Sequence, residues 1–482
     1  MDNKTSKHNG SIYTPTHIVD NMLDLVGYQF DIIQKHVIDN SCGEGAFLIQ
    51  IVKRYCEQYF LNSGNCIELK MHLEKYIHGI DNDSIAVEKC KANLTLVAES
   101  FNVNDVNWDI KVADTLDVDM FNGKMDYVVG NPPYIRVHNL KNSYNKVKKY
   151  DFASNGMTDL YIVFFEISFR MLSPNGKMCF ITPSSFLRSK AGIELRKYIH
   201  KRRTLTKIVD LGHYQPFSAT TYTIITVFEN DQKNNNSVEY FTYDELESKP
   251  EKIEDLEYEK FYIGGKIYFS KHEHLELLQN IESHYSNRST RSIVVKNGFA
   301  TLADKVFIGN FSFSGCTISV LKASTGRWYK CIFPYHPDGS PISLEELMQY
   351  EDVYNYLCKQ RSVLEERDSE DDENWFLFGR SQAIKDVFVE KIAINTTIKG
   401  INTIRIETVP SGSGVYSGLY ILSSYDEETL RNVILTEDFI IYLQVLKNYK
   451  SSGYYSISTL ELEKFLSYKL EKLENEQLRI FG

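Results

Sequence analysis

No apolar run in this 482-residue chain approaches the roughly 20 residues needed to cross a bilayer. The amino terminus, MDNKTSKHNG, also lacks the hydrophobic centre of a secretion signal. Both absences predict a cytoplasmic chain with no membrane partner. No CxxC pair is present. The eight cysteines are scattered, with no histidines at metal-site spacing, which predicts free thiols in a reducing compartment and no metal centre. His272-Glu273-His274 is too tight for the HExxH zinc pattern and is expected on a solvated helix surface. A GxxxxGK(S/T) phosphate loop and a complete GxGxxG are missing too, so ATP and NAD suit the chain less well than another adenosine-bearing cofactor. Cations are in deficit. A net charge of −10 argues against a generic nucleic-acid coat protein but leaves room for a local basic face.

What is present is an ordinary core-forming composition, 43% hydrophobic and 24% charged, long enough for two or three domains. From residue 13 to about 230, strand-like runs (37–39, 77–81, 106–112, 125–129, 177–182, 208–211 and 222–228) alternate with helical patterns. That alternation predicts a doubly wound, mostly parallel α/β sheet of seven strands, with ligands outside the carboxyl ends of the strands. Pro174-Asn175-Gly176 is expected to close the helix over 160–172. The polar run 231–236 is the expected boundary, which gives domains 1–230 and 237–482. The second half has short β-like runs, dense aromatics and a helical end from about 426, a mixed α+β pattern without internal repeats.

Chemistry-bearing residues fall at the predicted strand ends. Asn131-Pro132-Pro133-Tyr134 follows the run Tyr127-Val128-Val129-Gly130. A side-chain carbonyl, a proline carbonyl and an aromatic face suit the grip of an exocyclic amino group on a planar ring. In isolation the same four residues also read as a plain Pro-Pro turn. Asp39-Asn40-Ser41-Cys42-Gly43-Glu44-Gly45 joins a strand to a helix, where glycines allow close backbone approach and the helix start favours negative charge. Asp81 ends the next strand and can accept from two ribose hydroxyls. It follows Gly43 by 38 residues rather than the usual distance of about 20, which predicts an extra segment near 61–70. Asp114, after the third strand, reads either as an acceptor for an adenine amino group or as a turn cap. Tyr13-Thr14-Pro15 reads locally as an N-cap followed by a helix-starting proline. Residues 188–207 gather Arg188, Lys190, Arg196, Lys197, Lys201, Arg202, Arg203 and Lys207 against Glu194 alone, either a cationic helix end or a phosphate-tracking surface. Residues 365–373 hold seven acids against one arginine and read as a solvated loop.

Taken in order, Tyr13-Thr14-Pro15, Ser41-Cys42-Gly43-Glu44-Gly45, Gly79-Ile80-Asp81, Ala113-Asp114 and Asn131-Pro132-Pro133-Tyr134 resemble the gamma class of DNA amino-methyltransferases, the TaqI-type adenine-N6 family of restriction–modification systems. The resemblance runs the length of the chain. Phe333-Pro334-Tyr335 with Gly339, the segment 375–382, and Gly414-Val415-Tyr416-Ser417-Gly418 are similar to parts of that family's C-terminal target-recognition domain. It implies the Rossmann-like fold of class I methyltransferases and S-adenosylmethionine as methyl donor. By resemblance, Tyr13, Thr14, Pro15, Ser41, Cys42, Gly43 and Gly45 contact the donor's methionine portion, Asp81 its ribose and Asp114 its adenine amino group. Asn82 flanks the adenine, where the family commonly has an apolar residue. Asn131, Pro132, Pro133 and Tyr134 form the catalytic motif, and Tyr134 and Phe217 stack on a target adenine flipped out of duplex DNA. Arg188, Lys190, Arg202, Arg203, Arg380 and Gln382 are candidate DNA contacts; Arg380 and Gln382 suit base edges but equally suit phosphate binding or bracing of the fold. Only 12 residues precede Tyr13, so a monomeric modification enzyme with a separate cognate endonuclease is expected. N4-cytosine methylation, a protein-glutamine or RNA methyltransferase sharing the tetrapeptide, and a catalytically silent specificity module are the alternatives.

Overall fold

The computed structural model describes residues 13–62, 64–137, 144–217, 221–230, 235–286, 293–369 and 374–481. The chain divides into two compact units, Met1–Leu275 and Glu276–Gly482.

The first unit is built on nine strands: β1 (Val37–Asp39), β2 (Ile77–Asp81), β3 (Asp109–Val112), β4 (Met125–Gly130), β5 (Leu172–Pro183), β6 (Leu205–Asp210), β7 (Thr223–Glu229), β8 (Ser237–Asp244) and β9 (Lys249–Glu257). Their order in the sheet is β3-β2-β1-β4-β5-β7-β6-β8-β9. β1 pairs in parallel with β2 and β4, and β4 with β5. β7 inserts antiparallel between β5 and β6, β8 runs parallel to β6, and β9 turns back on β8. All three residues of β1 are buried, as in a strand covered on both faces.

Helices α1 (Thr16–Val26), α2 (Ala46–Asn62), α3 (Cys66–Tyr76), α4 (Ser84–Ser100), α5 (Tyr144–Val147), α6 (Leu160–Met171) and α7 (Ile193–Arg202) complete the pattern. α1 buries Ile18, Val19, Met22, Leu23 and Val26, a stripe recurring at helical spacing, and stops at Gly27 in the left-handed region. α6 buries ten of its 12 residues. A short hairpin of β10 (Tyr262–Ile263) and β11 (Lys266–Ile267) follows the sheet.

Five expectations change. The sheet has nine strands among the described residues rather than seven, because β8 and β9 extend it beyond β6. For the same reason the compact units divide between Leu275 and Glu276 and not at 231–236, a run whose residues 231–234 lie outside the described ones. The third strand starts at Asp109 rather than at 106, and the sixth spans Leu205–Asp210 rather than 208–211. α6 ends at Met171, so Pro174-Asn175-Gly176 lies within β5 as a bulge, where the register jumps from Met125↔Leu172 to Tyr127↔Lys177. The extra segment between Gly43 and Asp81 is α3, started by Asn65, whose side chain accepts from the Ile67 and Glu68 amides.

The second unit mixes strands and helices. Its strands are β12 (Val294–Asn297), β13 (Ile308–Gly309), β14 (Thr317–Lys322), β15 (Arg327–Ile332), β16 (Lys391–Ile394), β17 (Thr397–Ile398), β18 (Ile406–Val409), β19 (Ser413–Tyr416), β20 (Leu419–Leu422), β21 (Tyr449–Lys450) and β22 (Tyr454–Ser456). They form sheets ordered β12-β20-β16-β18, β13-β15-β14-β19 and β17-β22-β21. Helices Glu427–Ile434, Glu437–Leu446 and Thr459–Phe481 make up most of the carboxyl-terminal part. Phe299, Phe307, Phe333, Trp375 and Phe378 belong to the main core of this unit, so the aromatic density read from the sequence is packing. No described helix is long and apolar enough to cross a membrane.

Candidate active site

The carboxyl ends of β1, β2, β3 and β4 converge on one edge of the first unit. Asp39, the last residue of β1, is 1% exposed and accepts the Ser41 amide at 3.0 Å. Two bonds fasten the following loop to β2: the Cys42 amide donates to the Ile80 carbonyl at 2.9 Å, and the Gly43 amide to Asp81 Oδ2 at 2.8 Å. The two glycines of this loop do different work. Both have positive φ, +50° at Gly43 and +93° at Gly45. A Cβ on Gly45 would lie 2.8 Å from Cys90 Sγ on α4, whereas one on Gly43 would have nothing within 4 Å. Gly45 therefore permits helix packing, and Gly43 faces open space.

Asp81 Oδ1 accepts the Asp83 amide at 2.9 Å, so each carboxylate oxygen holds one backbone N–H. Asn82 beside it is exposed. Asp114 caps a short 3₁₀ turn by accepting the Leu116 amide at 3.1 Å, and its other oxygen takes Lys146 Nζ of α5 at 3.0 Å. The turn-cap reading of Asp114 thus applies, with a lysine beside it that the sequence did not indicate. The cap expected at Tyr13-Thr14-Pro15 starts one residue later: the Pro15 carbonyl accepts from Ile18 and Val19, and no side chain caps α1. Tyr13 is 70% exposed, while Thr14 is 2% exposed and turns inward.

Thr14 Oγ1 accepts Asn131 Nδ2 at 3.1 Å. That bond fixes the amide plane and turns Oδ1, its acceptor end, away from Thr14. Ser41 Oγ donates to the Asn131 carbonyl at 3.4 Å, which ties the glycine loop to the tetrapeptide. Gly130 is required by close approach, since a Cβ there would lie 2.7 Å from Asp39 Oδ1. Pro132 is buried and Pro133 half-buried. The Tyr134 hydroxyl donates to the Ile181 carbonyl of β5 at 3.1 Å, which pins the ring. Phe217 is brought against it, 6.3 Å between centroids and 74° between planes, and Tyr161 of α6 lies 6.2 Å away at 78°. These are edge contacts. A base held between Tyr134 and Phe217 requires the Phe217 ring to turn; residues 218–220, which follow it, lie outside the described ones.

Burial dominates the electrostatics. It pushes the Asp39 carboxyl up to about 8, with the Asp81 charge adding to the rise and the Ser41 amide opposing it. Asp39 is therefore mainly protonated at neutral pH. Burial also lifts the Tyr134 phenol well above its ordinary range. Cys42 is raised through its hydrogen bond with Cys90 and through burial, so it is an inert thiol in the loop. Asp39 and Lys146 are the site residues that sequence reasoning missed. The Asp39 signal was its place as the last residue of β1; Lys146 reaches Asp114 across 32 residues and left no local pattern.

The candidate DNA contacts divide. Lys190 and Arg202 are exposed and Arg188 is half-buried. Arg203 is held by Glu259 and by Asn236 Oδ1 at 3.2 Å and lies over the Tyr258 ring. Within the same basic run, Arg196 is buried and donates to the carbonyls of Phe186, Ser189 and Gly265, Lys197 pairs with Glu194, and His200, Lys201 and Arg202 fill the last turn of α7. Arg196 and Arg203 are thus part of the internal structure, and Lys197 is engaged in a surface pair. In the second unit Arg380 is tied to Asp368, and Gln382 donates to the Gly298 carbonyl, so both brace the fold. The acidic run is described only to residue 369. Its arginine, Arg367, pins the carbonyls of Thr301, Leu364, Trp375 and Leu377.

Residues 75–217 match the family model described as Eco57I restriction-modification methylase. This segment includes Asp81, Asp114, the tetrapeptide and Phe217 but not the glycine loop. The chain is 28% identical to the type II methyltransferase M.BstVI of Geobacillus stearothermophilus, over 76% of this chain and 73% of that one. It is 24% identical to the type II restriction enzyme and methyltransferase RM.Eco57I of Escherichia coli, over 79% of this chain and 48% of the relative, so it spans about half the length of that fused protein. Its fold is similar to that of the type IIL restriction-modification enzyme MmeI, solved in complex with DNA, at a TM-score of 0.62 and 13% identity, over 92% of this chain and 63% of that one.

Proposed function

We propose that this chain is an S-adenosylmethionine-dependent DNA methyltransferase that modifies N6 of an adenine flipped out of duplex DNA. The observation that carries the reading is the link between the two halves of the site: the glycine loop bonded to Asp81 on one side and to Asn131 on the other. The names of the relatives, type II methyltransferases and one combined restriction enzyme and methyltransferase, favour the methyltransferase part of this reading.

The residues fit the donor. Asp81 keeps an acceptor lone pair on each oxygen beyond its backbone bond, which suits two vicinal hydroxyls. Gly43 has no side chain to fill the space above it. Asn40 Oδ1, in the same loop, is buried without a hydrogen-bond partner among the described residues. When bound, S-adenosylmethionine supplies a methyl group on a positively charged sulfur. Thr14, Ser41, Gly43, Asp81 and Asp114 are the residues to hold it, with Lys146 displaced from Asp114 or sharing it.

The chain's own task is to make a poor nucleophile competent. The adenine N6 lone pair is delocalised into the ring. Asn131 Oδ1 and the Pro132 carbonyl accept the two amino hydrogens and draw N6 toward a tetrahedral form with a localised lone pair. Thr14 holds the Asn131 amide in the required plane before the base arrives, so no reorganisation is needed during transfer. Extracting the base costs a few kcal/mol, and stacking on the pinned Tyr134 ring offsets about 1–3 kcal/mol of it.

The test is expression in a host without its own adenine or cytosine methylation, followed by sequencing that separates N6-methyladenine from N4-methylcytosine. One modified adenine motif is the expected result; unmodified DNA refutes the reading, and N4-methylcytosine changes the target base. Asn131→Ala is expected to abolish transfer while duplex binding persists. Turnover within tenfold of wild type in that variant would overturn the mechanism.

A further inference from the structure

Four cations of the second unit cluster without carboxylate partners. β14 and β15 form a hairpin of six residue pairs, from Thr317↔Ile332 to Lys322↔Arg327. Lys322 and Arg327 flank the turn at 323–326, and Lys330 follows on β15. Arg405, just before β18, donates to the Ser324 carbonyl at 3.4 Å, and its Cδ lies 3.8 Å from the Cβ position of Gly326. Arg327, Lys330 and Arg405 are exposed. None of the four forms an ion pair among the described residues. Elsewhere in this unit, by contrast, Lys296, Arg380, Arg431, Lys464 and Lys469 are each held by a carboxylate. Glu407 beside the turn accepts the indole N–H of Trp328 at 2.7 Å, which fixes a ring that is 39% exposed.

Side chains alternate across a ribbon. Lys322 and Arg327 are directly paired and share one face, while Trp328 and Lys330 take the other. The outer part of β15 has an open edge, because β13 is two residues long and pairs only with Cys331 and Lys330. On its other side β14 pairs in parallel with β19 as far as Lys322↔Tyr416, so the hairpin is the outer edge of a three-stranded stretch with cations on both faces, in a chain whose net charge is −10.

We propose that this hairpin is a duplex-DNA contact, with Lys322, Arg327, Lys330 and Arg405 meeting backbone phosphates. Phosphates are the anions that exposed lysines and arginines neutralise along a duplex, and Arg327, Lys330 and Arg405 are exposed here. The inference rests on the DNA reading above and moves the second unit's contacts away from Arg380 and Gln382. The competing account is that the charges only protect an open sheet edge from pairing with another chain. That account ties them to solubility and not to DNA affinity.

The experiment measures anisotropy of a fluorescent mixed-sequence duplex against salt, for the full chain and for a combined Arg327→Gln, Lys330→Gln, Arg405→Gln variant. Each lost phosphate contact flattens the slope of log affinity against log salt by about 0.9, so the variant's slope is expected to be shallower by about 2.7. Its melting temperature and its S-adenosylmethionine affinity stay at the wild-type values. Arg327→Lys, Lys330→Arg and Arg405→Lys together retain the charge and the wild-type slope. If wild type binds duplex and the glutamine variant binds with the same slope, the hairpin proposal is overturned. If wild type binds no duplex at any salt, the DNA reading beneath it fails instead.

Discussion

Replacing Asp39 with asparagine isolates the energetic consequence of a buried carboxyl. In the folded chain this group titrates at about 8, against about 3.9 for an unfolded aspartate. Between those values the folded state holds a proton that the unfolded state has released, so unfolding sheds a proton and rising pH favours it. The stability associated with the protonated form is complete below about pH 4 and is lost as pH rises toward 8, at about 1.4 kcal/mol per pH unit. From about pH 5 to about pH 8 the loss sums to about 4 kcal/mol, a ceiling because water reaching the carboxylate lowers it. Asp39 is 1% exposed, so solvent screening discounts the figure little.

Asparagine reproduces the shape of the protonated acid. Its Oδ1 still accepts the Ser41 amide, and its NH₂ stands where the acid carried its proton. Asp39→Asn is therefore expected to match wild type near pH 5 and to exceed it increasingly toward pH 8. Other groups titrate too, but they cancel in the difference between the two proteins. Trp108, the sole tryptophan of the first unit, provides the probe: urea unfolding followed by its fluorescence in a Trp328→Phe, Trp375→Phe background reads that unit alone. Parallel stability curves across this range would refute the burial argument, and a wild-type advantage growing with pH would reverse its sign.

The remaining predictions concern the loop and its neighbours. Gly45→Ala combines positive φ with a contact to Cys90 Sγ; a loss of more than about 2 kcal/mol is expected in thermal or chemical unfolding, and Cys90→Ala should recover part of it. Gly43→Ala carries only the backbone strain, about 1–2 kcal/mol, yet it is expected to weaken S-adenosylhomocysteine binding more than Gly45→Ala does, as titration calorimetry would report. Lys146→Met removes the cation bonded to Asp114 and is expected to tighten that ligand severalfold; weaker binding would mean that Lys146 supports the subsite. Thr14→Val leaves the Asn131 amide without its acceptor and is expected to lower kcat about 10²-fold with a small change in KM, following the cost of mispositioning a reacting group.

Strand ends were readable in the sequence because each coincides with a switch from a short buried run to glycine, aspartate or asparagine. Val37-Ile38-Asp39 and Val128-Val129-Gly130 are of this kind, and such switches mark both the limit of a buried strand and the start of its ligand loop. Three features were hidden for separable reasons. The extension by β8 and β9 lay behind a polar run that reads as a linker, although Tyr240 and Leu256 beyond it are buried. The committed state of Arg196, Arg203, Arg380 and Gln382 depends on partners outside their own local pattern, up to 84 residues away for Gln382, and a polar side chain looks the same in sequence whether it faces water or a carbonyl. The bulge in β5 replaced a helix stop because Pro174-Asn175-Gly176 punctuates either structure equally well.

The two motifs carrying the proposed chemistry stand 90 residues apart at Ser41 and Asn131, and strand pairing makes them one object. Ile38 pairs with Val128, so Asp39 projects toward Gly130, the one residue type that leaves room for its carboxyl. That carboxyl, kept uncharged by burial, holds Ser41, and Ser41 in turn donates to the carbonyl of Asn131. A charged Asp39 would set a second anion near Asp81; a neutral one lets the two acids share a wall. The acceptor amide and the donor loop are thus positioned by the same buried group. On this account the pH at which Asp39 ionises limits both the stability of the first unit and the geometry of the transfer site.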